Sequence, residues 1–212
     1  MGFMNFFKHL AGDDWGVHPD DHKRPAADQP VRVMPVPAKL YLPLQQHLGG
    51  AARPVVLVGQ KVKKGSLIAE AQGAVSAPIH APTSGTIVAV SDITAPHPSG
   101  LNLPAIILVS DGEDAWCELQ GCDDPFALAP AEIGKRVAAA GVVGMGGAAF
   151  PSAVKLIGAS RAKVNTLIIN GGECEPYLSC DDRLMRDQAA GIVDGVRIML
   201  HATGAARALI GI

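Results

Sequence analysis

From Ala38 to Ser110 the chain is a succession of short apolar runs, Leu40–Leu44, Pro54–Val58, Leu67–Ala69, Thr86–Val90 and Ala105–Val109, each stopped by Gly, Pro, Ser or Asn. Runs this short cannot make helices that bury a continuous face, so this region predicts short antiparallel strands in a small sandwich or barrel. The 24 glycines and 16 prolines, set against 4% aromatic residues, agree with a fold rich in tight turns and close backbone approaches.

Two segments of this region are more specific: Val62-Lys63-Lys64-Gly65-Ser66-Leu67-Ile68 and Ile79-His80-Ala81-Pro82-Thr83-Ser84-Gly85-Thr86-Ile87-Val88. Together they resemble the barrel-sandwich hybrid of biotinyl and lipoyl carrier domains. A carrier needs an exposed lysine in the hairpin joining its halves, and no lysine occurs from Gly65 to Gly134. The resemblance therefore implies the fold without the carrier function.

Past Asp111 the period lengthens. A helix is expected over Pro130–Ala140, with Pro130 in its first turn and Gly141 as a left-handed cap. Phe150-Pro151-Ser152 opens a second helix, Val164–Asn170 has strand length, Asp181 can cap one long helix reaching Thr203, and Arg207–Ile212 reads as another strand. Two such strands joined by a helix form a βαβ unit with a parallel pair, which presents ligand loops at its strand ends. The expected organisation is α+β or α/β: an arm at 1–37, a barrel-sandwich hybrid at 38–112, and the start of an α/β domain at 113–212, the chain stopping inside its last strand.

The arm holds Asp13, Asp14, Asp20 and Asp21 around Trp15-Gly16-Val17-His18-Pro19 without a sustained period, as in an extended segment lying on something else. Phe3, Phe6 and Phe7 can form an apolar face toward a membrane, or simply pack within the protein. No stretch approaches the roughly 20 apolar residues of a membrane span, and the opening residues lack a signal peptide, which implies a soluble cytoplasmic chain. A formal charge of -2 gives no basic field for nucleic acid. Cys117 and Cys122, and Cys174 and Cys180, are separated by four and five residues, not the two of common zinc or iron-sulfur loops, and so read as free thiols.

Two loops can carry chemistry. In Gly144-Met145-Gly146-Gly147-Ala148-Ala149-Phe150-Pro151 the glycines let backbone N–H groups approach a phosphate, Pro151 starts a helix whose N-terminus favours an anion, and Lys155 lies one turn on. The loop follows a helix and not a clear strand, against an ordinary dinucleotide fold, and a plain glycine connector fits it too. In Asn170-Gly171-Gly172-Glu173-Cys174-Glu175-Pro176-Tyr177, just past a strand end, Asn170 offers an amide to a ring edge, and Glu173 and Glu175 can accept from ribose hydroxyls or a carboxamide. Glu173, Glu175, Asp181 and Asp182 can also be imagined as hydrolytic carboxylates or metal ligands, but no histidine motif accompanies them. His18, His80 and His97 each neighbour a proline and read as turn residues.

Taken together, Gly144 to Leu156, Thr166 to Tyr177 and Asp181-Asp182-Arg183-Leu184-Met185 resemble the C subunit of Rnf-type ion-translocating electron transport complexes. The resemblance extends to Gly16-Val17-His18-Pro19, the segment Ala38–His47 and the His80–Thr86 hairpin, and so covers nearly the whole chain. Microcompartment cobalamin reductases and the flavin-binding component of respiratory complex I look similar across the two loops, but not in the arm and sandwich.

The resemblance implies FMN near Gly144, Gly146, Gly147, Lys155, Asn170, Glu173 and Cys174, with Phe150 and Glu175 toward the nicotinamide of NAD(H). It further implies a peripheral subunit on the cytoplasmic face of the bacterial inner membrane, partnered by the other subunits, passing electrons between NAD(H) and ferredoxin or other carriers. The two 4Fe-4S clusters of the family are not expected here, because their cysteine runs do not occur in these 212 residues. Ala149 stands where the family usually has glycine, and Ser152 where it usually has threonine. A non-catalytic docking or assembly fragment is the rival expectation, and FMN retention discriminates the two.

Overall fold

A computed structural model of the chain describes residues 20–145 and 149–212. Phe3, Phe6 and Phe7, read as either a membrane-facing or a packing segment, and the Gly16-Val17-His18-Pro19 motif lie outside the described residues, as do Gly146 and Gly147.

Among its described residues the arm forms a short helix, α1 (Arg24–Ala27), where an extended segment was expected; Pro25 is pre-set for a first helical turn. Seven strands follow: β1 (Lys39–Pro43), β2 (Arg53–Pro54), β3 (Lys61–Val62), β4 (Leu67–Glu70), β5 (Ile79–His80), β6 (Gly85–Thr94) and β7 (Asn102–Ser110). They form a four-stranded sheet ordered β1-β7-β6-β3 and a three-stranded sheet ordered β2-β4-β5, antiparallel throughout. Inward-facing side chains of both sheets meet in one core, where Ile68, Ile87, Ile106 and Leu108 are completely enclosed. Each such side chain contributes about 1.5–3 kcal/mol.

Two strand expectations change. In place of a strand over Pro54–Val58, the ladder with β4 holds Arg53 and Pro54 and ends with one further bond, from the Val55 N–H to the Ile68 carbonyl at 3.0 Å; the chain turns away by Gly59, whose φ is +88°, leaving Leu57 and Val58 exposed. Conversely, β6 and β7 pair from Gly85↔Ser110 to Thr94↔Asn102, well past the apolar signal. The extra residues, including Ser91, Asp92 and Thr94, are mostly exposed in a ribbon that outruns the core, so no hydrophobic pattern marks them. Within the His80–Thr86 motif, a Cβ on Gly85 would sit 2.1 Å from the Val109 carbonyl, so only glycine lets β6 start there. Ser84 donates to Asp111 at 2.7 Å and accepts from the Ala115 N–H at 2.9 Å, which pins the exit strand to the barrel.

The second unit comprises a 3-10 turn (Pro125–Ala127), α2 (Pro130–Ala139), α3 (Ser152–Ala162), β8 (Thr166–Asn170), α4 (Cys180–Asp187), α5 (Ala189–Thr203) and β9 (Arg207–Gly211). As expected, Gly141 closes the end of α2 with φ +68°, and β8 and β9 run parallel from Thr166↔Arg207 to Asn170↔Gly211. The single helix expected from Asp181 to Thr203 is instead two, broken at Gln188 (φ -126°, ψ 32°). The pieces meet different demands: α4 buries no residue and carries Arg183–Asp187 and Arg186–Asp182 pairs, whereas α5 packs Ala202, Ile198 and Met199 with Ile133 of α2 and Leu156 of α3. Among the described residues no helix is long and apolar enough to cross a membrane.

Candidate functional site

The second loop begins where β8 ends. Asn170 Oδ1 accepts from the Gly172 N–H at 3.0 Å, and the Gly171 N–H donates to the Gly211 carbonyl at 2.8 Å, so the turn leaves the strand pair in a fixed direction. A Cβ on Gly171 would meet Met185 Sδ at 3.0 Å and the Gly211 oxygen at 3.1 Å, which is why this step carries no side chain.

Glu173 then turns back onto the start of α4. Its Oε1 accepts from the Asp181 N–H at 2.9 Å and from the Cys180 thiol at 3.2 Å, and its Oε2 accepts from the Asp182 N–H at 3.1 Å. Asp181 is therefore not the helix cap: Ser179 occupies that position without a side-chain bond, and Glu173, from a preceding loop, satisfies the free N–H groups. Burial pushes the Glu173 carboxyl up, but the two backbone N–H groups, the thiol and the nearby Lys23 charge together hold it below the usual carboxylate range. The bond to Glu173, with burial and the charges of Glu173 and Asp181, pushes the Cys180 thiol up. Ligand atoms of Glu173, Cys180 and Asp181 lie within 4.8 Å of one another, yet a thiol held protonated and a carboxylate engaged by N–H donors make a helix cap and a poor metal centre.

Between the glycine loop, α3 and the end of β8 lies a cleft of about 520 Å³. Gly144, Phe150, Lys155 and Asn170, all singled out from the sequence, line it. Glu173, Cys174 and Glu175 do not line it: Glu173 caps α4, and Cys174 and Glu175 are exposed on the loop. Ala149, Ser152, Asp181 and Thr203 do line it and were not marked from the sequence as ligand contacts. Signals were present for three of them: Ser152 as the first residue of a helix opened by Pro151, Ala149 as a departure from the family's glycine, and Asp181 as an acidic residue of the resembling block. Ala149 has φ +44°, so the position does adopt the left-handed conformation that suits glycine, and its carbonyl accepts from the Leu48 N–H of the barrel at 3.1 Å.

The cleft suits a planar ring with an anionic tail. Its size is that of ligand pockets, roughly 300–1,000 Å³. Leu156, Leu167 and Ile169 give apolar walls, Asn170 a carboxamide, and the start of α3 with Lys155 a positive end. Lys155 Nζ stands 5.7 Å from the centre of the Phe150 ring. A larger open cleft of about 810 Å³ lies where Lys64, His80 and Trp116 face Lys135 and Arg136 of α2. Its cations are already engaged, Lys64 with Asp114 at 2.7 Å, and Lys135 and Arg136 with Glu132 at 3.7 and 3.6 Å.

Residues 14–113 match the family described as the RnfC barrel sandwich hybrid domain, and residues 137–212 match the Nuo51 FMN-binding domain. Among curated proteins, the chain is 52% identical over 197 residues to the C subunit of the ion-translocating oxidoreductase complex of Rhodobacter capsulatus, covering 93% of this chain and 38% of that protein. It is 46% identical over 183 residues to the protein of the same name from Pseudomonas aeruginosa, covering 86% of this chain and 24% of the relative. For that of Salmonella gallinarum the identity is 42% over 211 residues, covering 99% and 31%. The chain thus spans less than two fifths of the length of these relatives.

Proposed function

The chain belongs to the family of ion-translocating oxidoreductase complex C subunits, and from that premise we propose that its cleft beside the glycine loop holds FMN and exchanges electrons with NAD(H). The observation that carries the reading is the convergence, on one cleft, of Gly144 and Phe150 from the glycine loop, Lys155 from the first turns of α3 and Asn170 from the end of β8. In this reading the arm spans 1–37, the barrel-sandwich hybrid 38–112 and the flavin-binding unit 113–212.

Lys155 and the N-terminus of α3 would hold the phosphate, since a cation and a helix dipole act together there. Asn170, oriented by its bond to Gly172, would present its amide to the ring edge, and Phe150 would lie toward the nicotinamide. Glu175 and Cys174, on the exposed loop, would border that entrance. FMN, when bound, supplies the exchange between a two-electron carrier and one-electron carriers. The side chains need only bind, orient and exclude water; no nucleophile or base is required of them. Partners would be the other subunits of a membrane-associated complex on the cytoplasmic face, with ferredoxin or another carrier at the far end of the electron path.

Titration of the chain with FMN, followed by flavin fluorescence, tests the reading. Saturable binding is expected, weakened about tenfold or more by Lys155→Ala through loss of a charge-assisted contact. Unsaturable binding would favour a docking piece that holds no flavin, and saturable binding indifferent to Lys155 would move the flavin away from this cleft.

A further inference from the structure

The acidic loop does not hold its shape alone. From the arm, Lys23 Nζ donates to the Glu173 carbonyl at 2.7 Å, the Leu178 carbonyl at 2.7 Å and the Glu175 carbonyl at 3.4 Å. These three acceptors span the whole turn between the end of β8 and the start of α4. An ammonium has three donors and can serve three converging carbonyls, which the flat fork of an arginine cannot. Among the described residues, Lys23 takes the carbonyls of Glu173 and Glu175 and makes no ion pair with their carboxylates. A cation that bypasses two neighbouring carboxylates for the backbone is shaping the backbone.

The rest of the arm contact acts in the same direction. The Tyr177 N–H donates to the Asp21 carbonyl at 2.9 Å. The His22 and Tyr177 rings stack, with centroids 5.0 Å apart and planes 14° from parallel. Both residues occupy the left-handed region, His22 at φ 47° and Tyr177 at φ 69°, a conformation that non-glycine residues keep only where their surroundings impose it.

We propose that Lys23 is a positioning residue: the arm clasps the Glu173–Leu178 loop through it, and so places Glu173, the start of α4 and the rim of the FMN cleft. The link to the cleft runs through Glu173, which holds the N–H of Asp181, a residue of the cleft wall. The effect on flavin rests on the FMN reading above, whereas the clasp itself does not.

Amide hydrogen exchange of the flavin-free chain, alongside FMN titration, tests this with Lys23→Met and Lys23→Arg. In Lys23→Met, exchange across 173–182 should rise on the order of tenfold, as for a loop released from local protection, with barrel amides unchanged. The FMN dissociation constant should rise on the order of tenfold through lost pre-organisation. Lys23→Arg keeps the charge but should restore neither property fully, which a purely long-range electrostatic role would not allow. Unchanged loop exchange in Lys23→Met would overturn the clasp, and a loosened loop with unaltered FMN affinity would overturn the positioning role. Failure of the unaltered chain to bind FMN would sink the flavin reading alone, because the exchange measurement decides the clasp without ligand.

Discussion

The barrel and the unit that follows it bury their apolar residues to different degrees. In the barrel, Ile68, Ile87, Ile106 and Leu108 have no exposed surface, and both sheets close over them. In the second unit the enclosed cluster is Ile133, Leu156 and Ala202, while Ile168 of β8 is 72% exposed and Leu209 of β9 is 53% exposed. Parallel strands are normally covered on both faces, so this pair draws less from burial than the barrel strands do. The barrel thereby supplies the enclosed core, and the less enclosed unit supplies loops held by polar bonds around a cleft.

The largest expected contrast is in core truncation. Leu108→Ala should cost about 3–4 kcal/mol in denaturant unfolding, because a fully closed core keeps the cavity that the lost side chain leaves. Leu156→Ala should cost nearer about 2 kcal/mol, and equal costs would erase the distinction between the two units. Next comes Glu173→Gln, which leaves one oxygen where two now accept N–H bonds. It should lose about 1 kcal/mol of local stability at α4, seen as faster amide exchange at Asp181 and Asp182, with the barrel untouched.

Acid should separate the units in the same way. Burial pulls the His80 pKa down from its ordinary value, so the folded barrel favours the neutral ring; that stability is present above the ordinary histidine range and declines as the pH falls through the lowered value. The depressed Glu173 carboxyl contributes above the ordinary carboxylate range and is lost as the pH falls through and below it. Hydrogen exchange against pH should therefore show a change around His80 first and at the loop only in stronger acid; the reverse order would contradict both assignments. The smallest effect is Ala149→Gly, which should stabilise by about 0.5–1 kcal/mol in thermal unfolding by relieving a left-handed alanine. A loss on that change would mean that the Leu48 contact holds the turn without strain.

Periodicity and turn chemistry carried most of the architecture into the sequence. Short apolar runs marked β1, β4, β6 and β7 but not the two-residue β3 and β5, Pro130 and Gly141 bounded α2, and the parallel pairing of β8 with β9 followed from two apolar runs around a helical stretch. What was hidden depends on contacts between distant residues. Asp181 was the natural local cap, yet Glu173 reaches that helix first because its loop folds back under Lys23, 150 positions earlier in the chain. No window of sequence contains both. The break at Gln188 is hidden for a related reason: the helical pattern runs through it, and only the differing surroundings of α4 and α5 divide it. That Gly144, Phe150, Lys155 and Asn170 stand near one another at loop and strand ends was legible because glycine, proline and a lysine one turn on are local signals; which acidic side chains face the cleft was not.

The most direct test of a cleft-held flavin is amide exchange of the 212-residue chain with and without saturating FMN. Protection should rise at 149–156 and 167–172 and at Asp181, while amides of β6 and β7 in the barrel keep their rates. Protection confined to the barrel, or to the cleft lined by Lys64 and Trp116, would contradict the assignment of the site to the second unit.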